Sequence, residues 1–288
     1  SERSGIPAMI THFKIRGKKN WGRSAALIRR IDEARAAGID VTMAQYPYTA
    51  GSTFLHVVIP PWYHSRGVDG LLRALREERG AIKHDLDTRM DWENFSQSVG
   101  WEKIFVSSVV SEANQPCVGK SISQIAAERG HADPADAAFD LLVEEQLAVG
   151  MISFGLDEAD ITAIMRHPAV SFITDGLMSG RPHPRAYATY PRILGRYVRE
   201  QGVLSLEEAV RKMTSLPARK IRLRNKGVIA EGYDADLVVF DPDTVIDKNS
   251  YDDPRVHPAG IAHVLVNGVF VVEDAALTGA RPGRVIRD

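Results

Sequence analysis

Ala8-Met9-Ile10-Thr11-His12, an amphipathic stretch over residues 22–38, and then Ile39-Asp40-Val41-Thr42-Met43-Ala44-Gln45 decide the fold class of this chain. The first segment reads as a buried strand. In the second, Leu27, Ile28, Ile31 and Ala34 recur at helical spacing and Gly38 supplies a stop. The third is again strand-like and runs into Tyr46-Pro47-Tyr48. Strand, helix and strand in this order predict a βαβ unit, the building block of parallel sheets and α/β barrels.

The same rhythm returns further along. Strands are expected at 103–107, 150–154 and 169–174, the last ending at Asp175. Helices are expected at 121–129, from the Asp133-Pro134 cap to about residue 147, at 157–165 and at 190–201. Ser205-x-x-Glu208 has the form of a capping box opening one more. Residues 54–100 are less regular, with a helical pattern over 68–79, and are read as an insertion covering one end of the main domain. From 223 the pattern changes to short strands at 235–240, 260–266 and 269–272, with Asn267-Gly268 as a hairpin signal. The expected division is 1–222 and a small β domain at 223–288.

Composition removes several function classes. The chain has 288 residues, with 36 basic against 37 acidic side chains, so it lacks the electrostatic footprint of a nucleic-acid binder. No apolar run reaches the roughly 18 residues of a membrane span. Cys117 is the only cysteine, which rules out an intrachain disulfide and favours a reducing compartment; a cytoplasmic location is expected. The opening Ser1-Glu2-Arg3-Ser4-Gly5-Ile6-Pro7 reads like a helix end with its stop, so an upstream part of a larger protein is expected to be missing.

Few residues stand out chemically. His12 and Lys14 are two apart, so both side chains leave one face at the C-terminal end of a strand, where α/β barrels hold their sites. A His there can bind Zn²⁺ and a Lys can clamp a carboxylate; an edge His beside a solvated Lys is the simpler alternative. Asp175 follows the apolar run 170–174, where it can be a metal ligand and general base on a metal-bound water, or only a turn or helix cap. Residues 46–53 are read as a loop offering phenol and hydroxyl donors, or an ordinary turn. His183, in Arg181-Pro182-His183-Pro184-Arg185, could face the same pocket as Asp175, or sit in a rigid loop. The other histidines show no ligand spacing, and Cys117 reads as a structural thiol.

With these residues in view, the chain resembles the N-acyl-D-amino-acid deacylases (D-aminoacylases) of the amidohydrolase superfamily. The resemblance is carried by Ile10-Thr11-His12-Phe13-Lys14, Asn20-Trp21-Gly22-Arg23-Ser24, Tyr46-Pro47-Tyr48-Thr49-Ala50-Gly51-Ser52-Thr53 and Thr174-Asp175-Gly176. It continues through Ala235-Asp236-Leu237-Val238-Val239-Phe240-Asp241 to Val266-Asn267-Gly268 and the closing 278–284. It implies a TIM-like (β/α)₈ metallo-hydrolase barrel with a small β-sandwich built from both chain ends, and a zinc centre that activates water to cleave the amide of an N-acyl-D-amino acid. On the family's pattern His12 and Asp175 match metal positions, with Asp175 also moving the proton. Lys14, Tyr46 and Ser52 match positions holding the substrate's α-carboxylate.

There are departures from that pattern. The family's early His-x-His pair, its bridging Cys and a further His all lie upstream of the segment matched here, and Cys117 does not stand in the bridging place. Ala44 also stands where relatives often carry an acidic residue. The expectation is therefore an incomplete barrel lacking its early strands, and a truncated, catalytically incomplete part of a zinc hydrolase. Its expected partners are a small N-acyl amino acid and the missing N-terminal portion or a second copy, with no nucleic acid and no membrane. Two alternatives stand beside it: an amidohydrolase acting on a cyclic amide, as in dihydroorotase- or hydantoinase-like members, and a naturally shortened, non-catalytic binding protein.

Overall fold

A computed structural model describes residues 2–286. The chain is a mixed α/β structure with three separate sheets among the described residues. Its strands are β1 (Ala8–Ile10), β2 (Val41–Gln45), β3 (Ala50–Phe54), β4 (Ile104–Ser108), β5 (Gly150–Phe154), β6 (Val170–Phe172), β7 (Leu237–Phe240), β8 (Ile261–Val266), β9 (Val269–Glu273) and β10 (Ala276–Leu277).

The first sheet is parallel, in the order β1-β2-β6. The helix Ser24–Ala36 joins β1 to β2, and Ala8 pairs with Val41, so the βαβ unit forms as the hydrophobic periods predict. Gly38 follows that helix at φ 82°, a conformation that costs glycine nothing. All five residues of the central strand β2 are buried. β1 departs from expectation: it ends at Ile10, is only half-buried, and leaves Ile10 40% exposed. It lies at the edge of the sheet, so one of its sides has no strand to cover it among the described residues.

The second sheet is antiparallel, in the order β3-β5-β4. Here the expected loop over 46–53 is corrected: residues from Ala50 onward form a strand, paired with β5 from Ala50↔Phe154 to Phe54↔Gly150. Ala-Gly-Ser-Thr carries little intrinsic strand preference, and the ladder with β5 imposes it. Around this sheet the helices Gly67–Glu77, Arg79–Thr88, Ile122–Arg129 and Pro134–Glu144 enclose one apolar core that runs from Leu55 to Met151. The irregular 54–100 segment thus belongs to a larger packed unit. A second core joins β2 and β6 to the helices flanking them and includes Phe13, Ile15, Tyr46 and Tyr48.

Two helix ends differ from their sequence reading. The helix expected at 190–201 starts earlier, as Arg185–Arg192, and continues as a π-helical stretch over Ile193–Glu200. Pro191 lies within it and has no N–H to donate, which breaks the regular i→i−4 ladder. At the expected capping box Ser205 accepts from Glu208 N at 3.2 Å, but the Glu208 carboxylate is taken by Arg211 at 2.7 Å. Only half of the box forms.

The third sheet, in the order β10-β9-β8-β7, is antiparallel and hinges on the predicted Asn267-Gly268 turn, with φ 49° and 78°. None of the residues in its four strands is fully buried. No described helix is long and apolar enough to cross a membrane.

Candidate active site

The C-terminal ends of β1, β2 and β6 lie side by side, because the three strands are parallel neighbours. His12 stands two residues past β1, Tyr46 directly follows β2, and Asp175 stands three residues past β6. Ligand sites in parallel α/β folds collect at this edge. His12 and Asp175 both adopt left-handed backbone conformations, φ 41° and 48°, which non-glycine residues rarely hold. Both are exposed.

Beyond β1 the chain turns at Thr11-His12, and burial then alternates: Phe13 and Ile15 enter the core, while Lys14 and Arg16 are only partly buried and His12 is exposed. Lys14 Nζ donates to His12 O at 2.8 Å and lies 2.9 Å from His12 Nδ1. Burial, and next the cation of Arg16, push the Lys14 pKa down to about 8.

Arg185 underlies the site. It is 1% exposed, donates to Ser52 O at 3.1 Å, and pairs with Asp175 Oδ2 at 3.0 Å. Its guanidinium carbon sits 4.5 Å from the centre of the Tyr46 ring. Burial raises the Tyr46 pKa, with Arg185 and Arg16 opposing, so the phenol is a neutral donor. The structure thus gathers Lys14, Tyr46, Arg185 and Asp175, with the backbone of Ser52 attached through Arg185.

His183 is placed differently. It is fully buried, its Nδ1 accepts from Arg185 N at 3.0 Å, and its Nε2 lies 3.1 Å from Ala50 O. Rings of Tyr48 and Tyr251 pack edge-on against it at 5.0 and 5.1 Å. Burial, with Arg185 next, pushes its pKa well below the ordinary value. This neutral imidazole offers no free nitrogen to a ligand; it ties the segment carrying Arg185 to β3.

Arg185 and Arg16 were missed in the sequence. The period-two alternation that singled out His12 and Lys14 extends to Arg16 and could have found it. Arg185 had no such signal, because its burial depends on residues more than 130 positions away.

His12 and Asp175 are two donors. No group of three or more His, Cys, Asp or Glu side chains among the described residues is placed to hold a metal ion. Lys14 contacts the imidazole and Arg185 the carboxylate. A catalytic zinc site needs three protein ligands and an open position, so these residues do not form one by themselves.

Comparison with known proteins agrees with the resemblance. The profile described as "Amidohydrolase family" matches residues 115–272. An N-acyl-D-glutamate deacylase of Alcaligenes xylosoxydans xylosoxydans is 38% identical over 99% of this chain and 49% of its own length. A D-aminoacylase of the same organism is 36% identical over 98% of this chain and 49% of its own. The chain spans about half the length of the curated relatives it matches. Among solved structures, the N-acyl-D-glutamate deacylase of Bordetella bronchiseptica, complexed with zinc and a phosphonate mimic of the tetrahedral intermediate, superposes with a TM-score of 0.77. It is 34% identical, over 99% of this chain and 51% of that one. A D-aminoacylase studied for its binuclear metal center superposes at 0.74, covering 96% of this chain and 48% of that one. The chain belongs to the amidohydrolase family.

Proposed function

We propose that this chain supplies the substrate-carboxylate side of an amide hydrolase acting on N-acyl-D-amino acids, releasing a carboxylic acid and a free D-amino acid. The observation that carries this reading is the pair of cations, the partly buried Lys14 and the buried Arg185, around the neutral Tyr46 phenol, set at the C-terminal edge of three parallel strands beside the exposed Asp175. A carboxylate is recognised by such a set of cations and hydroxyl donors. The names of the relatives point the same way. In this reading β1, β2 and β6 belong to a (β/α)₈ barrel. β7–β10 belong to a small β-sandwich beginning near residue 223.

Lys14, Tyr46 and Ser52 hold the α-carboxylate, and His183 and Arg185 position them. Asp175 carries the proton: it takes one from the attacking water as the C–O bond forms at the acyl carbon, and returns it to the leaving nitrogen as the C–N bond breaks. His12 and Asp175 are proposed as two of the ligands of a zinc ion, the remaining donors coming from outside the described residues.

The test is hydrolysis by the full gene product of N-acetyl-D-amino acids, their L-enantiomers and a cyclic amide such as a hydantoin. Turnover of the D-series alone is expected. Lys14→Ala should raise KM for the linear substrates by roughly 10- to 100-fold, the weight of a charge-assisted hydrogen bond. Turnover confined to the cyclic amide, or unchanged kinetics in the variant, overturns the reading.

A further inference from the structure

Asp247, Asn249 and Tyr251 stand two apart on the segment that follows β7, and the deacylase reading gives none of them a task. Exposure alternates along this segment. The three residues are partly buried, while Lys248, Ser250 and Asp252 between and after them are exposed. Each of the three inward side chains grips a different point beneath the site.

Asp247 Oδ2 pairs with Arg192 Nη1 at 2.7 Å, on side chains that are 10% and 19% exposed. Arg192 Nε donates to Pro47 O at 3.0 Å, and the guanidinium lies 4.7 Å from the centre of the Tyr48 ring. Pro47 directly follows Tyr46, so this pair fixes the turn that carries the phenol. Asn249 Nδ2 donates to Pro184 O at 2.9 Å, and Pro184 directly precedes Arg185. The Tyr251 ring packs edge-on against His183 at 5.1 Å and against Phe154 at 4.7 Å. His183 in turn accepts from Arg185 N. One contact thus holds the Tyr46 side of the site and two hold the Arg185 side.

The start of this segment is itself fixed. Val245 is 1% exposed, and its carbonyl accepts from Arg199 Nη1 at 2.6 Å. A Cβ on residue 195 would stand 2.6 Å from the same carbonyl, so only glycine lets the π-helical stretch approach so closely. The site has use for such a reference. Tyr46 Oη and Arg185 Nε have no hydrogen-bond partner among the described residues, so their own bonds do not fully lock these side chains. Their placement depends on the backbone that bears them, and a shift of a fraction of an ångström at a binding group is costly.

We propose that Asp247, Asn249 and Tyr251 are positioning residues: together they hold the Tyr46-Pro47 turn and the 183–185 segment at one separation, so that Tyr46 and Arg185 stay together beside Lys14 for the substrate's α-carboxylate. The inference rests on the deacylase reading of those groups. It makes the segment after β7 part of the support of a site whose strands lie far upstream.

The test uses the full gene product and two substrates, an N-acetyl-D-amino acid that it hydrolyses and the same compound with its α-carboxylate replaced by an amide. The parent should prefer the carboxylate. Asn249→Ala and Tyr251→Ala should each reduce that preference in kcat/KM by about tenfold, chiefly through KM for the carboxylate, the scale on which supporting contacts act. Tyr251→Phe keeps the ring against His183 and should retain the parent's ratio. If thermal unfolding shows that the Ala variants do not fold, Asp247→Asn decides, since it removes a charge and almost no volume; it too should lower the ratio.

Folded variants with the parent's ratio, or variants that lose both substrates in parallel, overturn the proposal while the deacylase reading stands. A Tyr251→Phe variant as poor as Tyr251→Ala does the same for Tyr251. A folded parent that hydrolyses neither substrate, or that does not distinguish the carboxylate from the amide, rejects the underlying reading, and the task of this segment falls with it.

Discussion

Glu145 and Asp175 each end an element, and their surroundings are built on opposite terms. Glu145 closes the helix Pro134–Glu144 and is 4% exposed. Its carboxylate accepts from Val110 N at 2.6 Å, Ser111 N at 3.0 Å, the Ser111 hydroxyl, and Asn114 Nδ2 at 2.7 Å. Asp175 follows β6 with its side chain 37% exposed and one ionic partner, Arg185. Beside it, the buried Tyr46 Oη and Arg185 Nε have no hydrogen-bond partner among the described residues, and Arg16 Nε faces only the exposed Glu93 carboxylate, at 3.4 Å. A polar group whose bonds are all made inside the chain serves the fold, whereas buried donors left unmatched at a sheet's C-terminal edge are, on the proposed function, available to a ligand. Stability should therefore reside in the first region and binding in the second.

The largest effect is expected in the core beneath Glu145. Phe139 is fully buried within it, on the same helix. Phe139→Ala should cost about 3–5 kcal/mol, the transfer term plus a cavity that neighbouring helices close only in part. Chemical denaturation measures it. A loss below about 1 kcal/mol would mean that this region is loosely packed and that the contrast with the rim is false.

Glu145 itself comes next. Burial pushes its pKa up, but the hydrogen bonds from Ser111, Asn114 and the Val110 and Ser111 amides outweigh it and bring the pKa from 4.5 down to about 2. Between those values the unfolded chain binds more protons than the native one. The stabilisation is fully present above about pH 4.5 and is lost as pH falls toward 2. Glu145→Gln should cost about 2–3 kcal/mol at neutral pH, because a charged acceptor of several bonds becomes a neutral one. The variant's stability should also fall less steeply than the parent's between pH 4.5 and 2. Denaturation midpoints across that range decide it, and parallel acid limbs would show that the loop at 110–114 is held by something else.

The sequence disclosed these regions unequally. The βαβ unit was legible because helical and strand periods alternate there, and Asn267-Gly268 fixed its hairpin through two residues that tolerate positive φ. β3 was not, since Ala50-Gly51-Ser52 becomes a strand through its pairing with β5, some 100 residues downstream. Of the candidate-site residues, His12, Tyr46 and Asp175 were legible because they stand just past strand ends, and Lys14 through its two-residue spacing from His12. His183 was readable as a pocket residue only because nothing local announces its burial, which Tyr251 and Ala50 bring from far along the chain. Glu145 looked like any helical acid, because its partners lie more than 30 residues away.

The smallest change in stability is expected from Tyr46→Phe, and it is the sharpest test of the contrast. Tyr46 is 3% exposed, yet its hydroxyl makes no hydrogen bond among the described residues. Removing it leaves the ring over which Arg185 and Lys14 lie and strips no partner of a bond. Folding stability should shift by no more than about 0.5 kcal/mol, and an upward shift is acceptable because an unmatched buried hydroxyl is a cost. Affinity for an N-acyl-D-amino acid should nevertheless fall about tenfold, since the ligand loses a neutral donor that burial keeps protonated. Denaturation and a binding titration on the same preparation separate the two quantities. A variant that loses stability with its affinity unchanged would place Tyr46 with Glu145, among the groups that serve the fold.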